Sequence, residues 1–201
     1  MDTLILGING SPWQDGGTVS LLEAVLAGAR AEGADTRLIH LYSLNIKSTP
    51  GLYSKSPQLE KIEHMPRDDM ETLYPLVMHA SGMVFASPSY WGTMTAETKK
   101  FIERLTPLTN NDQLMGKVAA CIGFSKENQG GIDNVALDIA RCLLQMGFIF
   151  LPYSILWAPG GDVSANAVEP AWAFSDAPHV GKDMVRYITL LQKHPIPWFA
   201  D

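Results

Sequence analysis

Cysteine and basic residues are scarce in this chain of 201 residues, and their scarcity limits what the chain can bind. The two cysteines, Cys121 and Cys142, are too far apart in sequence for a thiolate metal site or a CxxC redox pair, although a disulfide stays open. Both lie in apolar runs, so we predict that they are small buried hydrophobic residues. The five histidines form neither an HxxxH nor an HExxH pattern. The sequence therefore predicts no metal site.

Acidic residues outnumber basic ones, since the chain has 21 Asp and Glu but only 15 Lys and Arg, and its formal net charge is -6. Such a composition argues against a nucleic-acid partner, since duplex binding depends on Lys and Arg that neutralise phosphates. The same argument disfavours a membrane surface. The chain shows neither a basic segment before its first apolar run nor the roughly 20 apolar residues that would span a bilayer. We therefore predict a cytoplasmic location.

Hydrophobic residues make up 46% of the chain, which is typical of one packed domain, and we predict that residues 1–201 form a single domain. Their spacing predicts strands that alternate with helices. The predicted strands are Thr3–Asn9, Thr36–Leu41, Met83–Ser87, Lys117–Phe124 and Phe148–Leu156. The predicted helices are Thr18–Glu32, Arg67–Ser81, Thr93–Leu105, Ile132–Met146 and Val180–Gln192. Two long irregular stretches are expected at Tyr42–Met65 and Trp157–Pro178.

This alternation indicates an α/β fold with helices on both faces of a parallel sheet. Five strands favour the flavodoxin-like three-layer sandwich with strand order 2-1-3-4-5 over the six-stranded dinucleotide order. Ligands bind beyond the carboxyl ends of the strands in such sheets. The candidate site is therefore formed by the loops Gly10–Thr18, Pro88–Gly92 and Ser125–Gly131.

The first of these loops, within "NGSPWQDGGTVSLL", has neither the GxxxxGK[ST] nor the GxGxxG pattern. No basic residue precedes Arg30 in the chain, so an anion at this loop meets only neutral donors. The candidate donors are the hydroxyls of Ser11 and Thr18 and the backbone N–H groups of Gly16, Gly17, Thr18 and Val19. A helix start of this kind suits one phosphate monoester, with Thr18 as both N-cap and ligand. A plain N-cap on a tight turn is the alternative.

The second loop places Tyr90 and Trp91 between Pro88 and Gly92, where an aromatic pair can flank a planar ring. Packing of both rings beneath the loop is the alternative. The third loop, "SKENQGG", offers hydroxyl, amide and glycine groups for the polar edge of a ring. A phosphate site, an aromatic wall and a polar clamp at one edge together predict FMN.

The pairing of "GINGSPWQDGGT" with "SPSYWGTMTAETKKFIERL" resembles the NADPH-dependent FMN reductase family, which includes multimeric flavodoxins. The resemblance runs from Leu4 to about Leu156 and includes Lys99 and the F-I-E-R helix that ends at Arg104. It implies that Ser11, Gly17, Thr18 and Val19 hold the phosphate and that Pro88 to Gly92 hold the isoalloxazine. The residues predicted to bind FMN, from the loops and the resemblance together, are Ser11, Trp13, Gly16, Gly17, Thr18, Val19, Pro88, Ser89, Tyr90, Trp91, Gly92, Ser125, Gly130 and Gly131.

One departure from the family concerns its iron–sulfur members, which carry a cysteine cluster in the loop after the second strand. Here that loop reads "KSTPGLYSKSP" and has no cysteine, which excludes such a cluster on ligand grounds. Tyr53 in this loop is a candidate to cover the flavin or a subunit contact. Trp13 is expected to pack over the cofactor or a neighbouring subunit, or else to lie on the surface.

The resemblance implies an oxidoreductase that passes electrons from NADPH or NADH through FMN to a quinone, a flavin or another small acceptor. It also implies a homodimer or homotetramer. No catalytic side chain is predicted, because the flavin supplies the chemistry. A non-enzymatic electron-transfer flavodoxin and a domain that has lost its cofactor are the alternatives. A response-regulator receiver is disfavoured, since Asn9-Gly10-Ser11 stands where its carboxylates would be.

Overall fold

The computed structural model describes residues 3–49, 61–125, 131–159 and 172–197. Its strands are β1 (Leu4–Asn9), β2 (Asp35–His40), β3 (Gly82–Pro88), β4 (Val118–Ser125) and β5 (Ile149–Pro159). Its helices are α1 (Gly17–Ala31), α2 (Met70–His79), α3 (Ala96–Arg104), α4 (Thr106–Thr109), α5 (Ile132–Gln145) and α6 (Trp172–Lys193).

The five strands form one sheet in the order β2-β1-β3-β4-β5, and all neighbouring pairs are parallel. This confirms the predicted fold class and strand order. Ile8 of β1 stands opposite Ile39 of β2 and Phe85 of β3, so these three strands end at nearly the same level. The loops that follow β1 and β3 therefore emerge side by side, as a ligand site at this edge requires.

Helices cover both faces of the sheet and give two apolar clusters. One cluster buries side chains of α2, α3 and α5, among them Tyr74, Phe101 and Ile139. The other cluster buries side chains of α1 and α6, among them Leu22 and Met184. Each strand in the middle of the sheet sends alternate residues into the two clusters, which is why β1 and β4 read as nearly continuous apolar runs.

Two glycines allow α1 and α6 to pack closely. A Cβ atom on Gly28 would lie 2.0 Å from the carbonyl oxygen of Pro178, and one on Gly181 would lie 1.9 Å from that of Val25. Pro178 lies within α6, so the prediction of an irregular stretch up to this residue was wrong for the part from Trp172 onwards. The contact with α1 favours a helix that the proline alone would have interrupted.

Smaller corrections concern the ends of elements and the irregular stretches. Helix α2 begins at Met70 rather than Arg67, and β5 extends to Pro159 rather than Leu156. Around the described parts of the stretch Tyr42–Met65, short 3₁₀ turns lie at Leu41–Ser43 and Ile62–His64, whereas residues 50–60, which include Tyr53, lie outside the described residues. Residues 160–171 of the second stretch lie outside them as well. Among the helices described, none combines the length and the apolar character that a bilayer crossing requires.

The two cysteines are both free thiols, on β4 and α5. Cys121 is fully buried, as predicted, and burial raises the pKa of its thiol. Cys142 is only partly buried, so its assignment to the core was too strong. It lies on the helix surface that borders Lys99 and Asp138, and there burial also raises the pKa of its thiol.

Candidate functional site

Asn9, the last residue of β1, determines the shape of the loop that follows. Its side chain is completely buried, and its Oδ1 accepts the backbone N–H of Ser11 at 3.0 Å. Its Nδ2 donates to the carbonyl oxygen of Trp13 at 3.1 Å and to Nδ1 of His40 at 2.9 Å. One buried amide thus links the loop to the ends of both β1 and β2.

The start of α1 presents an uncapped set of backbone donors. Gly16 is the N-cap, and as a glycine it has no side chain to cap the helix; the first turn of the helix contains no acidic residue. The N–H groups of Gly17, Thr18 and Val19 have no hydrogen-bond partner among the described residues, while Ser20 N already donates to Gly16 O at 3.0 Å. Helix geometry directs these N–H groups outward along the axis, where they suit an anion.

The hydroxyls of Ser11 and Thr18 lie beside this helix start, and both residues are only 3% exposed. Ser11 Oγ accepts the N–H of Trp13 at 3.1 Å, so its own proton is available for donation. The Thr18 hydroxyl has no hydrogen-bond partner within the described part of the chain. Thr18 is, however, the second residue of α1, and the prediction that it caps the helix was wrong. The cap requires an extended residue, and Gly16 has that conformation with ψ near 175°.

Two glycines of this loop are required by close packing. A Cβ atom on Gly17 would lie 2.0 Å from Cζ of Phe124, at the end of β4. One on Gly10 would lie 1.9 Å from the hydroxyl oxygen of Thr98, on α3. Gly10 N also donates to Ala86 O of β3 at 2.7 Å. The loop after β1 is therefore held directly against the ends of β3 and β4.

Thr95, the N-cap of α3, joins the first and second loops. Its hydroxyl donates to Gly10 O at 2.8 Å and accepts the N–H of Thr98 at 3.3 Å. Its own N–H donates to Ser87 Oγ at 3.0 Å, and Ser87 in turn donates to Pro88 O at 2.9 Å. These bonds set the course of the chain from Pro88 into α3. Sequence analysis assigned no role to Thr95, because the partners lie on other elements.

The second loop is a two-residue turn closed by bonds between Tyr90 and Thr93, with N···O distances of 2.9 and 3.2 Å. Its central residues, Trp91 and Gly92, have φ of 54° and 81°, which is the pattern of a type I′ turn. A tryptophan is strained in this left-handed region. The Trp91 side chain is fully exposed and that of Tyr90 is 45% exposed. The alternative prediction, that both rings pack beneath the loop, is therefore wrong.

The third loop meets the second at a contact between glycines. Gly131 is the N-cap of α5 with φ of 98°, and a Cβ atom there would lie 3.1 Å from Cα of Gly92. Ser125 ends β4, and Ser89 N donates to Phe124 O at 2.7 Å. Gly130 and the rest of residues 126–130 lie outside the described residues.

Two further aromatic residues lie at this edge, the predicted site residue Trp13 and the unpredicted Tyr42. Trp13 is 68% exposed, and only its backbone takes part in the hydrogen bonds of the first loop. Tyr42, directly after β2, was not predicted as a site residue. Burial, together with the nearby Tyr90 and Glu97, raises the pKa of Tyr42, and an interaction with the Thr95 hydroxyl opposes the rise. Tyr42 therefore lies near Thr95, the residue that joins the first and second loops.

Arg104, which ends the F-I-E-R match, is a structural residue. Its fully buried guanidinium donates to both carboxylate oxygens of Asp68, to Lys47 O at 2.8 Å and to Pro66 O at 3.0 Å. Asp68 also accepts the N–H groups of Lys47 and Met70. Burial raises the pKa of Asp68, but Arg104 and these N–H groups outweigh it and hold that pKa below its usual value. Arg104 therefore fastens the segment after β2 to α3.

Metal ligands do not gather at this edge: within the described ranges no three His, Cys, Asp or Glu residues could hold a metal ion. Fe–S clusters of the usual type need four cysteine ligands, and the whole sequence contains two. The edge offers instead backbone donors at the helix start, aromatic residues and a contact between glycines, which suit an organic ligand. They fit a phosphate monoester joined to a flat ring.

Comparison with known proteins finds relatives of two kinds, iron–sulfur flavoproteins and NAD(P)H dehydrogenases (quinone). An iron–sulfur flavoprotein of Archaeoglobus fulgidus is 31% identical over 150 residues, which is 75% of this chain. An NAD(P)H dehydrogenase (quinone) of Methanosarcina acetivorans is 30% identical over 140 residues, which is 67% of this chain. The chain spans 66% of the length of each of these two relatives.

Among solved structures, RosB with bound 8-demethyl-8-formylriboflavin-5'-phosphate has a TM-score of 0.76 at 16% identity, covering 96% of this chain and 82% of RosB. At that identity the likeness concerns the fold. The family model of NADPH-dependent FMN reductases matches residues 3–159, which include β1 to β5 and all three loops. The resemblance carried by the two loop motifs is therefore confirmed, and the chain belongs to the NADPH-dependent FMN reductase family.

Proposed function

We propose that the protein binds FMN at the carboxyl edge of its sheet and passes electrons from NADPH or NADH to a quinone, a flavin or another small acceptor. The observation that carries this proposal is the uncapped start of α1 beside the Ser11 and Thr18 hydroxyls, with no basic residue in the loop. Family membership supports FMN as the cofactor and a nicotinamide as the donor, in line with the prediction from the sequence.

The phosphate of FMN is assigned to the N–H groups of Gly17, Thr18 and Val19 and to the hydroxyls of Ser11 and Thr18. These donors are all neutral, and the positive end of the helix dipole replaces a cation. Gly16 supports the set by leaving the cap position free of a competing side chain. The rigid loop built around Asn9 holds the donors in place before the ligand arrives, which lowers the entropy cost of binding.

The isoalloxazine ring is assigned to the segment from Pro88 to Gly92, with Ser125, Gly130 and Gly131 on its polar side. Support comes from the exposed Tyr90 and Trp91 and from the approach of Gly92 to Gly131, which brings the second and third loops together.

Bound FMN would supply the redox chemistry, which is hydride transfer from the nicotinamide and electron transfer to the acceptor. The Tyr90–Thr93 turn would orient the ring. Backbone N–H groups of the Tyr90–Gly92 loop would be the donors to negative charge at the ring edge. No side chain at this edge is needed as a general acid or base.

Binding is tested by fluorescence titration of the protein with FMN and with riboflavin, which lacks the phosphate. We expect FMN to bind more tightly by at least about a hundredfold, because several hydrogen bonds to a charged group contribute roughly 1.5–3 kcal/mol each. Thr18→Val should weaken FMN binding about tenfold or more and leave riboflavin binding unchanged. Equal affinity for the two ligands in the wild-type protein would contradict the phosphate assignment.

Two further proposals concern the surroundings of the enzyme. We place the protein in the cytoplasm, which is supported by its two free thiols and by the need for a nicotinamide donor.

A homodimer or homotetramer is supported by exposed aromatic residues on β5 and α6, where Trp157 and Trp172 pair edge to face at 5.1 Å. Sedimentation of the protein as a monomer at micromolar concentration would contradict the oligomer.

A further inference from the structure

An exposed apolar surface lies along the outer side of β5 and α6. Tyr153 is 80% exposed, Leu190 50% and Tyr187 38%, and these three side chains border one cavity of about 360 Å³. Trp157, later in β5, and Trp172, at the start of α6, are exposed as well. The other side of the sheet differs, because β2 and α1 expose no large hydrophobic side chain. Exposed apolar surface of this extent usually marks an interaction site.

Tyr153 stands on a bulge of β5. The paired register of β4 and β5 is interrupted at residues 151–154, which have only Ala120 opposite them. Tyr153 has φ of 62°, a left-handed conformation that is unfavourable for a tyrosine. The bulge and Pro152 hinder the pairing of an added strand with the edge of β5. The surface is therefore suited to contacts between side chains rather than to strand addition.

The outer face of α6, beside Tyr153, has charged residues on either side of an apolar centre. The exposed residues of this face follow helical spacing and are Asp183, Arg186, Tyr187, Leu190 and Lys193. Arg186 is paired within the chain, with Glu32 and Asp183. Lys193 has no ion pair within the described part of the chain. An acidic residue and an unpaired basic residue thus lie at opposite ends of the face.

Such a face is complementary to a second copy of itself. If two α6 helices pack antiparallel about a two-fold axis between Tyr187 and Leu190, Asp183 of each copy lies opposite Lys193 of the other. The apolar residues then meet at the centre, and the charged residues form the rim. Aromatic residues at the centre and polar residues at the rim are the usual composition of a protein interface. The order of charges therefore favours a second copy over a partner of other sequence.

From the exposed apolar surface, the bulge that presents Tyr153 and the order of charges on α6, we propose that the outer face of α6 and Tyr153 form a two-fold interface with a second copy of the chain. The inference rests on the homo-oligomer proposed above and specifies the surface that forms one of its contacts. No residue assigned to FMN belongs to this interface.

The interface is tested by analytical ultracentrifugation of the full chain at micromolar concentration. Leu190→Glu places a carboxylate at the apolar centre in both copies, so we expect it to halve the mass of the assembled species. Leu144→Glu on α5 is the matched control, because Leu144 is 55% exposed on a helix outside this surface. This control should keep the wild-type mass, and circular dichroism should show that both variants are folded.

An exchange of charges tests the two-fold arrangement itself. Asp183→Lys and Lys193→Asp should each raise the dissociation constant of the contact about tenfold or more at low salt, because like charges then face each other twice. The variant with both substitutions restores opposite charges, so its dissociation constant should return to within about threefold of the wild-type value.

The proposal is overturned if the wild-type protein is a monomer, if Leu190→Glu leaves the mass of the assembly unchanged, or if Leu144→Glu halves it as well. Failure of the double exchange to restore assembly would also overturn it. An assembly that persists in Leu190→Glu would contradict this surface and leave the homo-oligomer in place. Titration of the same variants with FMN tests the cofactor site separately, because none of the substitutions changes a residue assigned to FMN.

Discussion

Asn9→Ala is the substitution that tests how the phosphate loop is built. The side chain of Asn9 makes hydrogen bonds with Ser11 N, Trp13 O and His40 Nδ1, at 3.0, 3.1 and 2.9 Å. Alanine removes these bonds and the longer one to Ser11 O at 3.4 Å, and it leaves the buried N–H of Ser11 and the carbonyl of Trp13 without these partners. Each net bond is worth about 1 kcal/mol, so we expect the free energy of unfolding to fall by roughly 3 kcal/mol.

Part of this loss should appear in FMN binding, because the ligand would have to order a loop that the wild-type protein holds ready. If about 1.4–2.8 kcal/mol of ordering is transferred to the binding step, the Kd for FMN rises by about tenfold to a hundredfold. Riboflavin affinity should change much less, since the loop contacts the phosphate. Urea unfolding measures the first effect, and parallel titrations with FMN and riboflavin measure the second.

Ser154→Ala is the matched control, as Ser154 is a buried residue of β5 whose hydroxyl donates to Leu151 O at 2.7 Å. This variant loses a buried hydrogen bond far along the sheet from the phosphate loop. It should lose about 1 kcal/mol of stability and keep the wild-type Kd for FMN. The reasoning fails if Asn9→Ala leaves the Kd for FMN unchanged, or if the control weakens FMN binding to the same degree.

Three further predictions address the glycine contact, the buried ion pair and the strained turn. Gly17→Ala should lower the free energy of unfolding by about 1–3 kcal/mol, because the added methyl group overpacks against Phe124. In a double-mutant cycle measured by urea unfolding, Phe124→Leu should recover part of this loss, and additive effects would contradict the contact. Because the folded-state pKa of Asp68 is lowered, its contribution is present above the ordinary carboxyl pKa of about 3.9 and is lost as pH falls through the folded value. Unfolding followed across pH 2–6 should show this loss, and Asp68→Asn should remove it at a cost of about 3–5 kcal/mol, since Arg104 is left unpaired. Trp91→Gly should leave stability unchanged or raise it by up to about 1 kcal/mol in thermal unfolding, as a fully exposed ring is lost and a left-handed residue relaxes; it should weaken binding of FMN and riboflavin alike, and a clear loss of stability would show that the ring packs.

Most of the fold could be predicted because its signals are local. Apolar runs such as Leu4–Asn9 and helices with one buried face follow directly from spacing, and their alternation leaves few parallel topologies. The wrong prediction at α6 has a clear cause, since a proline such as Pro178 favours a loop over a helix interior. The helix includes this proline because Gly28 on α1 leaves room for its carbonyl, a contact between residues far apart in sequence.

The site could be predicted only in its loop segments. Gly17 and Trp91 stand out in the sequence because a helix start and a strand end need special residues there. Asn9 and Tyr42 were missed, since their importance comes from partners on other strands and loops. An asparagine at a strand end before glycine is a signal of a side chain that bonds its own backbone, and it could have identified Asn9.

The most direct test of the proposed function is the reduction of the FMN-loaded protein by NADPH or NADH in the absence of oxygen, followed through its visible spectrum. The account predicts that the flavin absorption bleaches with at least one nicotinamide and returns when a quinone is added. A bound flavin that bleaches with dithionite but with neither nicotinamide would contradict the enzyme and favour an electron carrier.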